Sequence, residues 1–212
     1  MMSTIHPATD NVREKIPDTD RYDPDGNVVI VVQGQSPHPT RRFLVSSKVL
    51  SLVSPVFAGL FSPRFFEGRE LEKCACPELT LHDDEPRTMG IIFAILHYHE
   101  PKELAHMNAG SLAVLAIHCD KYDCGKAFWP WVSIWFQILQ SKPTEEDYGH
   151  LLLAAHFFRN PEHFSEISRK AQLELPFGFN IEWEKSELLD MIPDVAKCKL
   201  YQISLAAMSY KT

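Results

Sequence analysis

The chain has 212 residues, of which 45% are hydrophobic and 23% charged, and a formal net charge of −7. That length suits one domain with an extension or two small domains, and it buries enough surface, about 70% of that of the unfolded chain, for a core to form without metal or disulfides. The acidic balance argues against direct binding of duplex nucleic acid, an affinity that rests on Lys and Arg neutralising phosphates.

Residues 1–22 are polar, punctuated by proline and without period, which predicts a flexible tail. Asp23-Pro24-Asp25-Gly26 is a turn signal, and the β-branched run Val28 to Val32 predicts a strand covered on both faces. Gly34, Pro37 and Pro39 mark 33–40 as a loop. Phe43 and Val45 alternate with polar neighbours as in a half-buried strand, so the two strands pair as a hairpin with a long connection. Ser46 or Ser47 then caps a short helix carrying Val49, Leu50 and Val53. Ser54-Pro55 starts a second helix, whose stripe is Phe57, Leu60 and Phe61 and which ends at Ser62-Pro63.

Gly68 to Cys76 is polar and mixed in charge and reads as a loop, and Glu78 to Leu81 alternates as a third strand. Asp83 or Asp84 caps an amphipathic helix marked by Met89, Ile92, Phe93 and Leu96. Leu112, Leu115, Ala116 and Cys119 repeat the helical spacing, and 122–128 is another short helix. Pro130 opens a helix whose Trp131, Ile134, Trp135, Ile138 and Leu139 form one wide face, buried or clamped by a partner. After the boundary at Lys142-Pro143, helices are expected from Thr144, which with Asp147 resembles a capping box, and at 151–158, 162–173, 186–191 and 194–209. An aromatic loop spans 175–183. Trp129, Trp131, Trp135 and Trp183 are placed at the seam between the two parts of the chain.

The organising stretch, RFLVSSKVLSLVSPVFAGLFSPRFFE at 42–67, resembles the heart of a BTB/POZ domain and looks closest to the filamentous-fungal type. DPDGNVVIVV at 23–32, LHDDEP at 81–86, Ile91 to Tyr98 and LAIHCDKYDCGKAFWPWVSIW at 115–135 match in the expected order. The resemblance covers roughly 23–140, about half the chain, and the helices of 141–212 are similar to the extensions that follow many such domains. It implies an α+β fold, a small mostly antiparallel sheet flanked by short helices, with a C-terminal all-helical extension. It also implies a non-enzymatic protein-interaction module, often a homodimer and in many relatives an adaptor for a cullin-type ubiquitin ligase. Many such dimers exchange an N-terminal strand, for which Ile5 to Ile16 is too polar and charged. A self-associating scaffold or a transcription-linked protein is the alternative, although no zinc-finger spacing or basic stripe is present to read DNA.

The partner-binding residues are Phe65, Phe66 and Glu67, since cullin-binding relatives often carry an apolar residue, any residue, then glutamate after the second helix. A ring in a pocket with a carboxylate at its rim is an effective two-part contact. The competing reading has both rings covering the domain's own core. Cys74-x-Cys76 and His97-x-His99 depart from the spacing of structural zinc sites and are read as ordinary loop and helix-end residues, so no metal or other cofactor is expected. His118 and Cys119 are adjacent on a helix and point about 100° apart, which is unsuited to a nucleophile–base pair. Asp83-Asp84-Glu85 serves a helix start rather than a metal. No nucleotide-binding or hydrolase motif occurs, so no catalytic residue is assigned. The five cysteines give no disulfide framework, the N-terminus has no apolar leader, and no apolar run reaches the length of a membrane span. A cytoplasmic or nuclear protein, away from membranes, is expected.

Overall fold

The computed structural model describes residues 18–34, 39–101, 106–176, 178–198 and 200. Its centre is a hairpin of β2 (Val28–Val32) and β3 (Arg41–Val45), antiparallel from Val28 opposite Val45 to Val32 opposite Arg41. Four of the five β2 residues are buried, as an unbroken β-branched strand between covered faces should be. β1 (Thr19–Arg21) runs parallel to β3, and β4 (Glu78–Leu81) runs parallel to β2, giving a mixed sheet of order β1-β3-β2-β4. The fold is therefore α+β, with only its central pair antiparallel.

β1 corrects the expected limit of the tail. Thr19-Asp20-Arg21 has no apolar alternation, but an edge pairing needs only backbone N–H and C=O groups. The Arg41 guanidinium also holds the Asp20 carboxylate at 2.7 Å. The remaining tail, including 5–16, and loop residues 35–38 lie outside the described residues.

Two short helices follow, α1 (Ser47–Val53) and α2 (Pro55–Leu60). The Ser46 hydroxyl accepts the Val49 N–H, and the buried Ser54 hydroxyl accepts the Phe57 N–H at 3.0 Å while donating to the Tyr122 carbonyl at 2.5 Å. Ser54 thus joins the start of α2 to the end of a helix 68 residues away. The stretch expected as a loop contains α3 (Phe66–Lys73). Only Gly68 in it is buried, with Leu71 half-buried, so an apolar stripe is nearly absent from its sequence. Glu67 in the first turn and Lys73 in the last suit the helix dipole, and Lys73 pairs with Glu70 at 3.0 Å.

α4 (Pro86–Leu96) is buried on every side from Thr88 onward and packs between the sheet and α5 (Ala109–Lys121). Its cap is Glu85, whose carboxylate accepts the Arg87 and Thr88 N–H groups, rather than Asp83 or Asp84. Asp84 is diverted into the core by Tyr122, whose hydroxyl donates to it at 2.6 Å.

A 3₁₀ turn at Gly125–Phe128 leads into α6 (Trp129–Leu139). Its buried face is formed by Val132, Trp135 and Phe136, rotated from the expected one: Ile134 and Ile138 are exposed, and Trp131 and Leu139 only half-buried. α7 (Glu145–Phe157) begins with the anticipated box, the Thr144 hydroxyl accepting the Asp147 N–H at 3.2 Å and the Asp147 carboxylate accepting the Thr144 N–H at 2.9 Å. α7 is packed broadly against α5 and is flanked by α8 (Pro161–Glu174), by α9 (Phe179–Trp183), which replaces part of the expected aromatic loop, and by a 3₁₀ turn at Leu189–Met191. Side chains from Val28 to Leu200 belong to one continuous hydrophobic cluster.

The tryptophans do not share a seam. Trp129 is exposed, Trp131 stacks on Trp135 at 6.1 Å, and Trp183 is buried on α7 with its indole N–H donating to the Glu145 carbonyl. A Cβ on Gly149 would lie 2.8 Å from Leu189 and 3.1 Å from Trp183, so the lack of a side chain there lets this terminal segment sit close to α7. The expected helix at 194–209 is described to Cys198 and at Leu200; residues beyond 200 lie outside the described ones.

Candidate docking site

Phe65, Phe66 and Glu67 sit together where α2 turns into α3. Phe65 is the N-cap residue of α3 in extended conformation, Phe66 its first residue and Glu67 its second. The turn is held by the Phe65 N–H, which donates to the Ser62 carbonyl at 3.1 Å. It is tight because Gly68 has no side chain: a Cβ there would stand 2.0 Å from the Ser62 oxygen. Phe65 is 53% exposed and Phe66 61%, so neither is among the buried side chains of the core. Two adjacent exposed aromatic rings with a carboxylate next to them are a surface that gains by being covered.

Leu52 on α1 and Val56 on α2 are also exposed, at 77% and 42%. Leu52 lies one position off the stripe of Val49 and Val53, so its outward direction was readable from the helical period. Gly68 was harder to find, because its role is a close approach to backbone that no periodicity records.

The other candidate groups are engaged elsewhere. The Phe93 carbonyl lies 2.8 Å from Nδ1 of His97 and can only accept, so Nδ1 carries the proton and Nε2 accepts the Ser46 N–H at 3.1 Å. Burial holds the His97 pKa below the ordinary imidazole value, against the opposing hydrogen bond to Phe93. His118 repeats the pattern, donating through Nδ1 to the Val114 carbonyl and accepting the Glu85 N–H at Nε2. His99 is within 2.7 Å of the Tyr22 carbonyl. Both ring nitrogens of His97 and His118 are thus used in holding the fold.

Cys119 is buried, and burial followed by its hydrogen bond to Cys124 pushes its thiol well above the ordinary range, away from a nucleophilic thiolate. Asp84 has a fully buried side chain that accepts from Tyr122 and, at 2.8 Å, from the Lys121 ammonium. Burial and then Asp84 hold the Tyr122 phenol far above its usual range, so it stays protonated and donating. A cavity of about 490 Å³ borders this cluster and is lined by Asp83, Asp84 and Glu85, of which Asp84 accepts from Lys121 and Tyr122 and Glu85 from the Arg87 and Thr88 N–H groups. Among the described residues no group of three or more His, Cys, Asp and Glu is arranged to hold a metal ion, and no helix is long and apolar enough to cross a membrane.

No protein-family model matches the chain, and no curated protein matches it.

Proposed function

We propose that this chain is a BTB/POZ-type protein-interaction module without chemistry of its own, and that it presents Phe65, Phe66 and Glu67 to a protein partner such as the N-terminal domain of a cullin. The observation that carries this reading is the exposure of both rings beside Glu67, held at a tight glycine-dependent turn. An aromatic side chain has only two torsions, so an exposed pair loses comparatively little freedom on docking. The occupied ring nitrogens of His97 and His118 and the buried Cys119 further favour an interaction role over catalysis.

A calorimetric titration of the purified chain with a cullin N-terminal domain tests the reading. Micromolar or tighter binding that Glu67→Lys weakens at least tenfold is the expected result. Absence of binding by the unaltered chain would remove the cullin. Self-association is the second reading, favoured by the exposed Leu52 and Val56 on α1 and α2. Sedimentation equilibrium distinguishes it, because Leu52→Glu would then shift a dimer to monomer while leaving a monomer unchanged.

A further inference from the structure

α4 and α5 pack against each other, and a cavity of about 200 Å³ is lined by the N-terminal halves of both. Thr88 and Ser111 are the third residues of their helices and Ile91 and Val114 the sixth, so each helix offers a hydroxyl with an apolar side chain one turn further on. Both hydroxyl-bearing residues are fixed by caps: the Glu85 carboxylate accepts the Thr88 N–H at 2.6 Å, and the Asn108 side-chain oxygen accepts the Ser111 N–H at 2.8 Å. Thr88 is only 5% exposed, yet among the described residues its hydroxyl has no hydrogen-bond partner. Buried polar groups are nearly always paired, and this one lines a cavity from which a ligand can pair with it.

The charges around the cavity select the ligand. Glu85 lines it, but each carboxylate oxygen already accepts an N–H of α4, where the charge offsets the positive end of that helix. The positive end of α5 has only the uncharged Asn108 as its cap. Arg87 is exposed and has no ion-pair partner among the described residues. A cation, a helix N-terminus and two hydroxyls without partners are all suited to an anion.

We infer that this cavity binds a small organic acid, with one carboxylate on a compact apolar body. The Thr88 and Ser111 hydroxyls donate to the carboxylate, the Arg87 guanidinium pairs with it, and the body lies against Ile91, Met107 and Val114. The volume limits the size, since an apolar cavity of about 150 Å³ admits benzene. One ring bearing a carboxylate therefore suits it, whereas a long acyl chain does not. The site shares no residue with Phe65, Phe66 and Glu67 and stands independently of what docks there.

Benzoate is the probe, titrated into the nitrogen-15-labelled full chain and followed by amide chemical shifts. Saturable shifts centred on the first turns of α4 and α5 are expected, with benzyl alcohol, which lacks the charge, binding about tenfold more weakly. Arg87→Gln, at an exposed position, and Thr88→Val, which keeps the shape of its side chain, should each weaken benzoate by about tenfold. Without benzoate, Thr88→Val should unfold at the same or a higher temperature, because it removes an unpaired hydroxyl rather than a bond. The absence of saturable shifts, saturation centred elsewhere, equal affinity for benzyl alcohol, or undiminished binding by either variant would each overturn the assignment. So would a lowered thermal midpoint in Thr88→Val, which would mean that the hydroxyl is already bonded within the chain.

Discussion

The Ser46 N–H donates to Nε2 of His97 at 3.1 Å, joining the junction of β3 and α1 to the C-terminal end of α4 across 51 residues of sequence. Ser46 is also the N-cap of α1, so one imidazole supports both the end of the hairpin and the start of the organising helices. His97→Ala leaves that N–H without a partner in a half-buried setting, while the Phe93 carbonyl keeps the backbone N–H of residue 97. A loss of about 1–3 kcal/mol in unfolding free energy is expected, measured by urea denaturation. His97→Gln, whose amide can still accept from Ser46, should recover part of it.

The same histidine sets a pH dependence. Its folded pKa lies below the unfolded value of 6.5, so between the two the unfolded chain binds more protons. Stability from this group is then fully present above about pH 7 and declines as pH falls through 6.5 toward the folded value. His150, lowered mainly by burial against the opposing pull of Glu146 and Asp147, acts in the same direction. Urea midpoints between roughly pH 8 and 5 should fall with acid, and the fall should be shallower in His97→Gln. An identical slope in the two proteins would assign the acid sensitivity elsewhere.

Tyr122 and Lys121 are the two donors that satisfy the buried carboxylate of Asp84. Tyr122→Phe keeps the stack on Phe57 at 4.5 Å but removes the hydroxyl. The carboxylate is left underbonded, and a cost of about 1.5–3 kcal/mol is expected by thermal or chemical unfolding. Asp84→Asn should be milder than Asp84→Leu, because its amide oxygen still accepts from one of the two donors, which the carboxylate binds through different oxygens.

Among the described residues three helices end on a non-glycine residue in left-handed conformation, Tyr98 after α4, Asp123 after α5 and Arg159 after α7. In each case the next N–H reaches back five residues: His99 to Ala94, Cys124 to Cys119 and Asn160 to Ala155, at 2.9 Å. Glycine is the natural occupant of that position, since it lacks the Cβ that makes this backbone costly. Tyr98 is fully exposed, so Tyr98→Gly should raise the thermal midpoint, by roughly 2–4 °C for a chain of this size. A fall would mean that the ring has a stabilising contact outside the described residues.

What was legible in the sequence was local. Ser46, Ser54 and Thr144 each cap a helix through a contact three residues on, and the β2–β3 hairpin follows from two short apolar patterns. What was not legible depends on residues far away in the chain. Asp83, Asp84 and Glu85 are equivalent as caps on paper, and Glu85 does the capping because Tyr122, 38 residues on, takes Asp84. β1 exists because β3 offers a free edge, and α3 because Gly68 can rest against the Ser62 carbonyl. The face of α6 was misread by one step of the helix, since apolar residues occur all round it and only packing chooses Val132 and Phe136 over Ile134 and Ile138. At the candidate docking site the residue types were readable, but their exposure was not, because an aromatic pair reads the same in a core and on a surface.

Exposure makes Phe65 and Phe66 separable from the fold, and that separation is the most direct test of the central claim. Phe65→Ala/Phe66→Ala should unfold within about 0.5 kcal/mol of the unaltered chain, as expected for positions outside the core. In the same preparations, calorimetric binding of the cullin N-terminal domain should weaken by tenfold or more. A loss of several kcal/mol in stability would return both rings to the core, and full-strength binding by the double variant would place the docking surface elsewhere.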